Sequence, residues 1–236
     1  MTEYYLDVED VVSDFLRVFM VDPKARSETT DSNNLTAVNT QFEYDVTPSS
    51  GSVSCITSLT VNGTEQVKWQ DYYWDYQNSK VFFLDEDRFS GGEAIVINFK
   101  YGSSNWIYSD KPDDELGKAA FPRISLFTIS GSGNKIGGAD AAIDSRPIIQ
   151  IDCWTRVDEI STIDSRKYSN EYLGRYLGNQ VVNSFDDSEE KLFGVFFDFD
   201  LVGFPRTAPF SEEYNSYHTV VEVRVKGLGL GRVKSV

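Results

Sequence analysis

Phe121-Pro-Arg-Ile-Ser-Leu-Phe-Thr-Ile129 and Arg146-Pro-Ile-Ile-Gln-Ile-Asp-Cys-Trp-Thr-Arg156 are the two runs that decide the fold. Both are apolar and rich in β-branched and aromatic residues, and a glycine-rich segment, Gly131-Ser-Gly-Asn-Lys-Ile-Gly-Gly138, lies between them. Two such runs around a supple connection predict a long β-hairpin with its tip at 131–145. Downstream, Tyr168, Tyr172 and Tyr176 fall on helical rows adjoining Leu173, Leu177 and Val181. That spacing predicts an amphipathic helix over 162–183, which gives the hairpin a face to bury. No residue in this region is arranged for bond-making, so the stretch points to a protein that works by assembly with copies of itself and with neighbours.

Working outward, Val8, Val11, Val12, Phe15, Leu16 and Phe19 recur at helical spacing, with acidic residues in the first turn and Asp22-Pro23 as the stop. They predict a first helix over 7–20. Residues 24–36 are polar and are expected to form a mobile link. From Thr40 to Tyr101 short alternating runs separate turn signals such as Asn62-Gly63 and Ser90-Gly91-Gly92. Turns at this ~8–12-residue spacing predict a small all-β sandwich or barrel. A charged linker, Asp110 to Asp114, leads into the hairpin, and two strands close the chain at 193–201 and 218–226. The expected fold class is α+β, with a two-helix domain over 1–39 and 106–236 and a β-sandwich module inserted at 40–105. If the module is a separate unit on a rim, its ends near Thr40 and Asn105 lie together, and a Gly/Ser linker replaces it without loss of the rest.

The 236 residues carry 37 acidic and 22 basic side chains, a formal net charge of −15. With the basic residues unclustered, this balance repels nucleic acid phosphates and anionic membranes; it suits solubility, or a channel through which DNA slides without sticking. Cys55 and Cys153 are far apart, without partners at metal-ligand spacing, and read as small core residues. Nothing resembles a signal peptide or an apolar span long enough to cross a membrane, so assembly in the cytoplasm is expected.

Candidate chemistry is thin. Asp198 and Asp200 alternate in a strand near Glu189 and Glu190, but an exposed strand face explains the pattern and no further ligand is placed for two-metal work. His218, the single histidine, has no nucleophile in context and reads as a strand-edge residue. The 131–138 glycines lack the Gly-Lys-Ser/Thr ending of a phosphate loop, and Gly227 to Gly231 reads as a supple tail. Trp69, Tyr72, Tyr73, Trp74 and Tyr76 suit cross-strand packing; a sugar platform of Trp69, Tyr73 and Trp74 is the competing reading. No catalytic residue, metal or cofactor is expected.

Two resemblances follow. Val61-Asn62-Gly63, Tyr72-Tyr73-Trp74-Asp75-Tyr76, Lys80-Val81-Phe82-Phe83 and Gly91-Gly92-Glu93-Ala94-Ile95-Val96-Ile97 look like the small β-modules of tailed-virus virion proteins, with Ser79 where glycine is usual. The run Pro147-Ile-Ile-Gln-Ile-Asp-Cys-Trp-Thr-Arg156 resembles the strand that precedes the second helix in tail terminator (tail completion) proteins of long-tailed phages and archaeal tailed viruses. That likeness implies a non-enzymatic neck protein of the virion. Six copies would form a ring that caps the tail tube and joins it to the head–tail connector, with DNA only passing through the lumen. The hairpin tip, with Lys135, Asp140 and Asp144, is the candidate surface for meeting the tube or lining the lumen. A head–tail adaptor or baseplate component is the alternative within virions, and a carbohydrate-binding module the alternative outside them. The acidity also suits a virus of a salt-loving host.

Overall fold

In the computed structural model the described residues are 8–76, 78–85, 88–109, 121–130, 133–136, 142–145, 147–156, 160–163, 166–186, 197–208, 210–212 and 215–228. The described residues are mostly β-sheet with two helices, an α+β fold. In order the elements are α1 (Val8–Phe19), β1 (Thr29–Thr36), β2 (Glu43–Asp45), β3 (Ser52–Val61), β4 (Thr64–Glu65), β5 (Tyr72–Asp75), β6 (Lys80–Phe83), β7 (Ala94–Gly102) and β8 (Ile107–Ser109). They continue as β9 (Arg123–Ser130), β10 (Gly133–Ile136), β11 (Ala142–Ser145), β12 (Ile148–Arg156), β13 (Ile160–Ile163), β14 (Arg166–Ser169), α2 (Asn170–Asp186), β15 (Phe197–Leu201), β16 (Arg206–Thr207) and β17 (Ser216–Leu228).

The two runs that open the reading do pair. β9 lies antiparallel to β12, with Leu126 opposite Ile151 and Ile124 opposite Cys153. The ladder does not stop where the glycines begin. Gly133 pairs with Ser145 and Ile136 with Ala142, and Ser130 with Ile148, so β9–β10 and β11–β12 keep one register past a bulge at Ile148/Ile149. On the other side, Ser145 opposite Gly227 and Ile148 opposite Arg224 put β11 and β12 in one register along β17, bridged by the Val225 N–H to the Pro147 carbonyl at 2.9 Å. The segment expected as a soft tip at 131–145 therefore contains a ribbon, because its residues between the glycines still offer a full set of backbone donors and acceptors. β15 and β16 pair with the far side of β17, and β8 runs parallel along β9.

Alternation then dictates the core. Ile124, Leu126, Ile149, Ile151, Cys153, Val221, Val223 and Val225 share one face of this sheet and are sealed from solvent. Both helices cover that face, α1 through Val11, Val12, Phe15 and Leu16, and α2 through Leu173, Leu177, Val181 and Phe185. Phe15 stacks on Phe185 at 5.1 Å where the helices meet. Gly174 and Gly178 let α2 lie close on the sheet: a Cβ built at Gly178 stands 2.8 Å from Thr219 Cγ2.

Three expectations need correction. α2 starts at Asn170, not 162, because β13 and β14 pair as a small hairpin, Ile160 with Ser169 and Ile163 with Arg166. The β-branched Ile160-Ser-Thr-Ile163 run prefers strand, and Ser169-Asn170-Glu171 is a natural helix start; Tyr168 consequently falls on a strand. The stretch 24–36 is no mere link, since β1 pairs along the whole of β7, from Thr29 with Tyr101 to Thr36 with Ala94. Its mostly exposed, polar side chains give no hydrophobic signal, and backbone hydrogen bonds hold it as an edge strand. The sheet expected to begin at residue 40 thus begins at Thr29, and its ends meet where the Ser103 N–H donates to the Arg26 carbonyl at 2.8 Å.

A four-stranded sheet (β1-β7-β3-β4) and a three-stranded sheet (β2-β6-β5) share a second core. Val53, Ile56, Leu59, Ile95, Ile97 and Phe99 of the first meet Tyr44, Trp74, Val81 and Phe83 of the second. Asn62 and Gly63 both take positive φ, 49° and 77°, the turn that the Asn-Gly pair predicts between β3 and β4.

This second unit is tied to α1 by charge. Lys68 Nζ pairs with the Asp14 carboxylate, both side chains almost fully buried, and also donates to the Ile56 carbonyl at 3.3 Å. Lys100 Nζ reaches the Val18 carbonyl at 3.2 Å and Glu28 at 3.1 Å, placing a cation on the C-terminal end of α1. The Arg17 guanidinium lies 4.3 Å over the Tyr76 ring and donates to the Ile107 carbonyl at 2.8 Å. Trp69 packs against the helix-covered core.

Candidate functional site

Of the three hairpin candidates, Lys135 sits on β10 opposite Ile143, and Asp144 sits on β11 between Asn134 and Leu228. The ladder places them on neighbouring rungs. Asp140 lies outside the described residues. β11 and β12 keep one register along β17, Ser145 opposite Gly227 and Ile148 opposite Arg224. β10 and β11 thereby form one end of the eight-stranded sheet.

A second feature was not legible in advance. Between β15 and β16 the chain exposes Leu201, Val202 and Phe204, the last 97% exposed, and Phe210 follows just past β16. These residues lie along the sheet edge beyond β17, where the Val202 N–H donates to the Glu222 carbonyl at 2.9 Å and Arg206 pairs with Glu222. The outer face of α2 adjoins this segment through Arg175 Nε to Thr207 Oγ1 at 3.3 Å, and α2 also exposes Tyr172. The available signal was a phenylalanine between Gly203 and Pro205, where no strand or helix could bury it.

The sheet face away from the helices is polar and partly sealed. Arg123, Ser125, Asp152 and Trp154 are buried there, and Trp154 Nε1 donates to Ser125 Oγ at 3.0 Å. Gln150 Nε2 donates to Asp152 Oδ1 at 2.9 Å. His218, expected at a strand edge, is inside the ladder opposite Trp154, on which its ring stacks at 4.4 Å. Burial pushes the Arg123 guanidinium down to about 10, assisted by the Arg156 charge and opposed by Tyr108.

The other candidates separate. Trp74 is in the second core, Trp69 packs on the first, and Tyr73 stacks on Phe82 at 4.8 Å, so the three do not assemble a sugar platform. Asp198 and Asp200 stand opposite Lys226 and Arg224. Among the described residues no three His, Cys, Asp or Glu side chains are grouped to hold a metal ion. Cys55 and Cys153 are buried free thiols. Burial, with Asp14 next, pushes Cys55 up to about 12, and burial, with Asp152 next, also pushes Cys153 up. No described helix is long and apolar enough to cross a membrane.

No family model, no curated protein and no solved structure matches this chain.

Proposed function

We propose that the chain is a structural, non-catalytic virion protein of a tailed virus, forming a homo-oligomeric ring of six copies at the neck. In this reading the ring caps the tail tube and joins it to the head–tail connector. The observation that carries it is the β10–β11 pairing, which keeps the register of β9 with β12 at one end of the sheet and has Lys135 and Asp144 on it. A strand pair at the end of a sheet suits contact with a tube or a lumen.

Two further features support the reading. A ring needs a heterologous contact that closes on itself, and the exposed Leu201-Val202-Gly203-Phe204 edge beside α2 is an apolar patch suited to it. A net charge of −15 keeps DNA phosphate from adhering as it passes the lumen. The two-helix sheet is the tail-terminator-like part, and the β1–β7 region is the inserted sandwich, on the rim. The test is Phe204→Asp. It is expected to leave monomer stability within ~0.5 kcal/mol, as for an exposed site, while abolishing rings in negative-stain images. Rings that persist in this variant place the contact elsewhere; a wild-type protein that stays monomeric at high protein and salt concentration, without binding tail tubes, overturns the reading.

A further inference from the structure

Arg123 is fully buried, and none of its three guanidinium nitrogens has a hydrogen-bond partner among the described residues. Its surroundings are aromatic: the guanidinium carbon lies 4.9 Å from the Phe121 ring centre and 5.8 Å from that of Trp154. A second guanidinium, of Arg156, lies 4.7 Å from the same Phe121 ring. Asp152, the buried carboxylate on this face, makes no ion pair with Arg123; its Oδ1 accepts from Gln150 instead. Ser125 Oγ is engaged by the Trp154 indole.

A guanidinium carries five N–H donors and a charge that persists at neutral pH. Sealing it from water with no acceptor is among the most costly arrangements in a folded chain. The aromatic faces supply part of the compensation through their quadrupoles, but they accept no in-plane N–H bond. The neighbouring Arg156 adds to the positive potential rather than relieving it. What the fork lacks is two oxygens in its plane.

We infer that Arg123 is the receptor of a bound oxyanion, taken bidentately by the guanidinium edge, with the Phe121 and Trp154 rings as walls and Arg156 adding to the field. The inference is independent of the ring reading. A carboxylate or a phosphate satisfies the same chemistry. Two sources fit: a free inorganic anion, or an acidic side chain delivered by a second copy of this strongly acidic chain. Because Arg123 is sealed, exchange requires the residues around it to open, so binding is expected to equilibrate slowly.

The experiment is thermal unfolding of the full chain and of Arg123→Met, at fixed ionic strength, against inorganic phosphate and separately against protein concentration. Long incubation precedes each measurement. A ligand bound to the native state alone raises the folding equilibrium constant by 1 + [L]/Kd, about 100-fold at 100 times Kd. The wild type is expected to rise and saturate with phosphate while Arg123→Met stays flat, which identifies the free anion. A rise with protein concentration that Arg123→Met lacks, without a phosphate response, identifies the carboxylate of a second copy. Without ligand, Arg123→Met is expected to be at least as stable as the parent, because an uncompensated charge has been removed. A wild type flat in both series, or a variant that responds like the wild type, overturns the proposal. If Arg123→Met does not fold, the wild-type phosphate series decides, since ring assembly by itself also raises stability with protein concentration.

Discussion

Replacing Lys68 with Met is the perturbation that most sharply tests how the two cores are joined. Lys68 and Asp14 are 2% and 5% exposed in their side chains, and Asp14 Oδ1 has no hydrogen-bond partner, so Lys68 is the compensation that the Asp14 carboxylate has. Methionine keeps most of the lysine stem and its packing while leaving a buried charge alone. Breaking a buried pair in this way costs about 3–5 kcal/mol, against about 0–1 for a hydrated surface pair. For a chain of this length each kcal/mol moves Tm by roughly 2–4 °C, so a fall of roughly 6–20 °C is expected. Urea unfolding followed by tryptophan fluorescence reads it directly, since Trp69 and Trp106 belong to the core that α1 covers. Adding Asp14→Asn to Lys68→Met should restore part of the loss. A Lys68→Met variant within about 1 kcal/mol of the parent would refute the reasoning and mean that the pair is hydrated and the β-unit docks loosely. The same contacts bear on replacement of 40–105 by a linker, which the sequence suggested would be tolerated. Lys68, Lys100 and Trp69 would leave together, so the truncated chain is expected to be strongly destabilised rather than neutral.

The remaining predictions concern particular contacts. Lys100→Met removes the cation at the end of α1 and its pairing with Glu28, and a loss of about 1–2 kcal/mol is expected in urea titrations. Gly178→Ala ordinarily favours a helix by about 1 kcal/mol, but its methyl would stand 2.8 Å from Thr219 Cγ2, so Tm should fall; a rise shows that α2 can move off the sheet. Native protein at about pH 8 should not be alkylated by iodoacetamide at Cys55 or Cys153, because burial holds both thiols protonated, and mass spectrometry should find label only after unfolding. Since the folded Cys55 pKa is raised, its contribution to stability is complete below the ordinary thiol value of 9.0 and is lost as pH climbs towards about 12.

What the sequence made legible follows from the strength of its periodicities. Val8 to Phe19 and the 123–156 pairing announce themselves through unbroken apolar spacing, and the structure agrees to within a residue or two at the first helix. Asn62-Gly63 fixes its turn because few other pairs tolerate two positive φ values. β1 stayed hidden because an edge strand of Thr, Asp, Ser and Asn is held by its backbone, which carries no side-chain signature. The tyrosine spacing predicts too early a start for α2 because Tyr168, on β14, extends the tyrosine row of the helix backwards. The buried Lys68–Asp14 pair was beyond reach for a different reason: its partners are 54 positions apart, and only packing brings them together. Phe204 belongs to no periodic run, so its exposure is read from the structure.

Direct imaging of the purified full-length protein by negative-stain electron microscopy, at high protein and salt concentration and with isolated tail tubes added, tests the central claim. The account predicts closed rings, of six subunits, that seat on one end of the tubes. Single particles of one chain at every concentration, with bare tube ends, would contradict it.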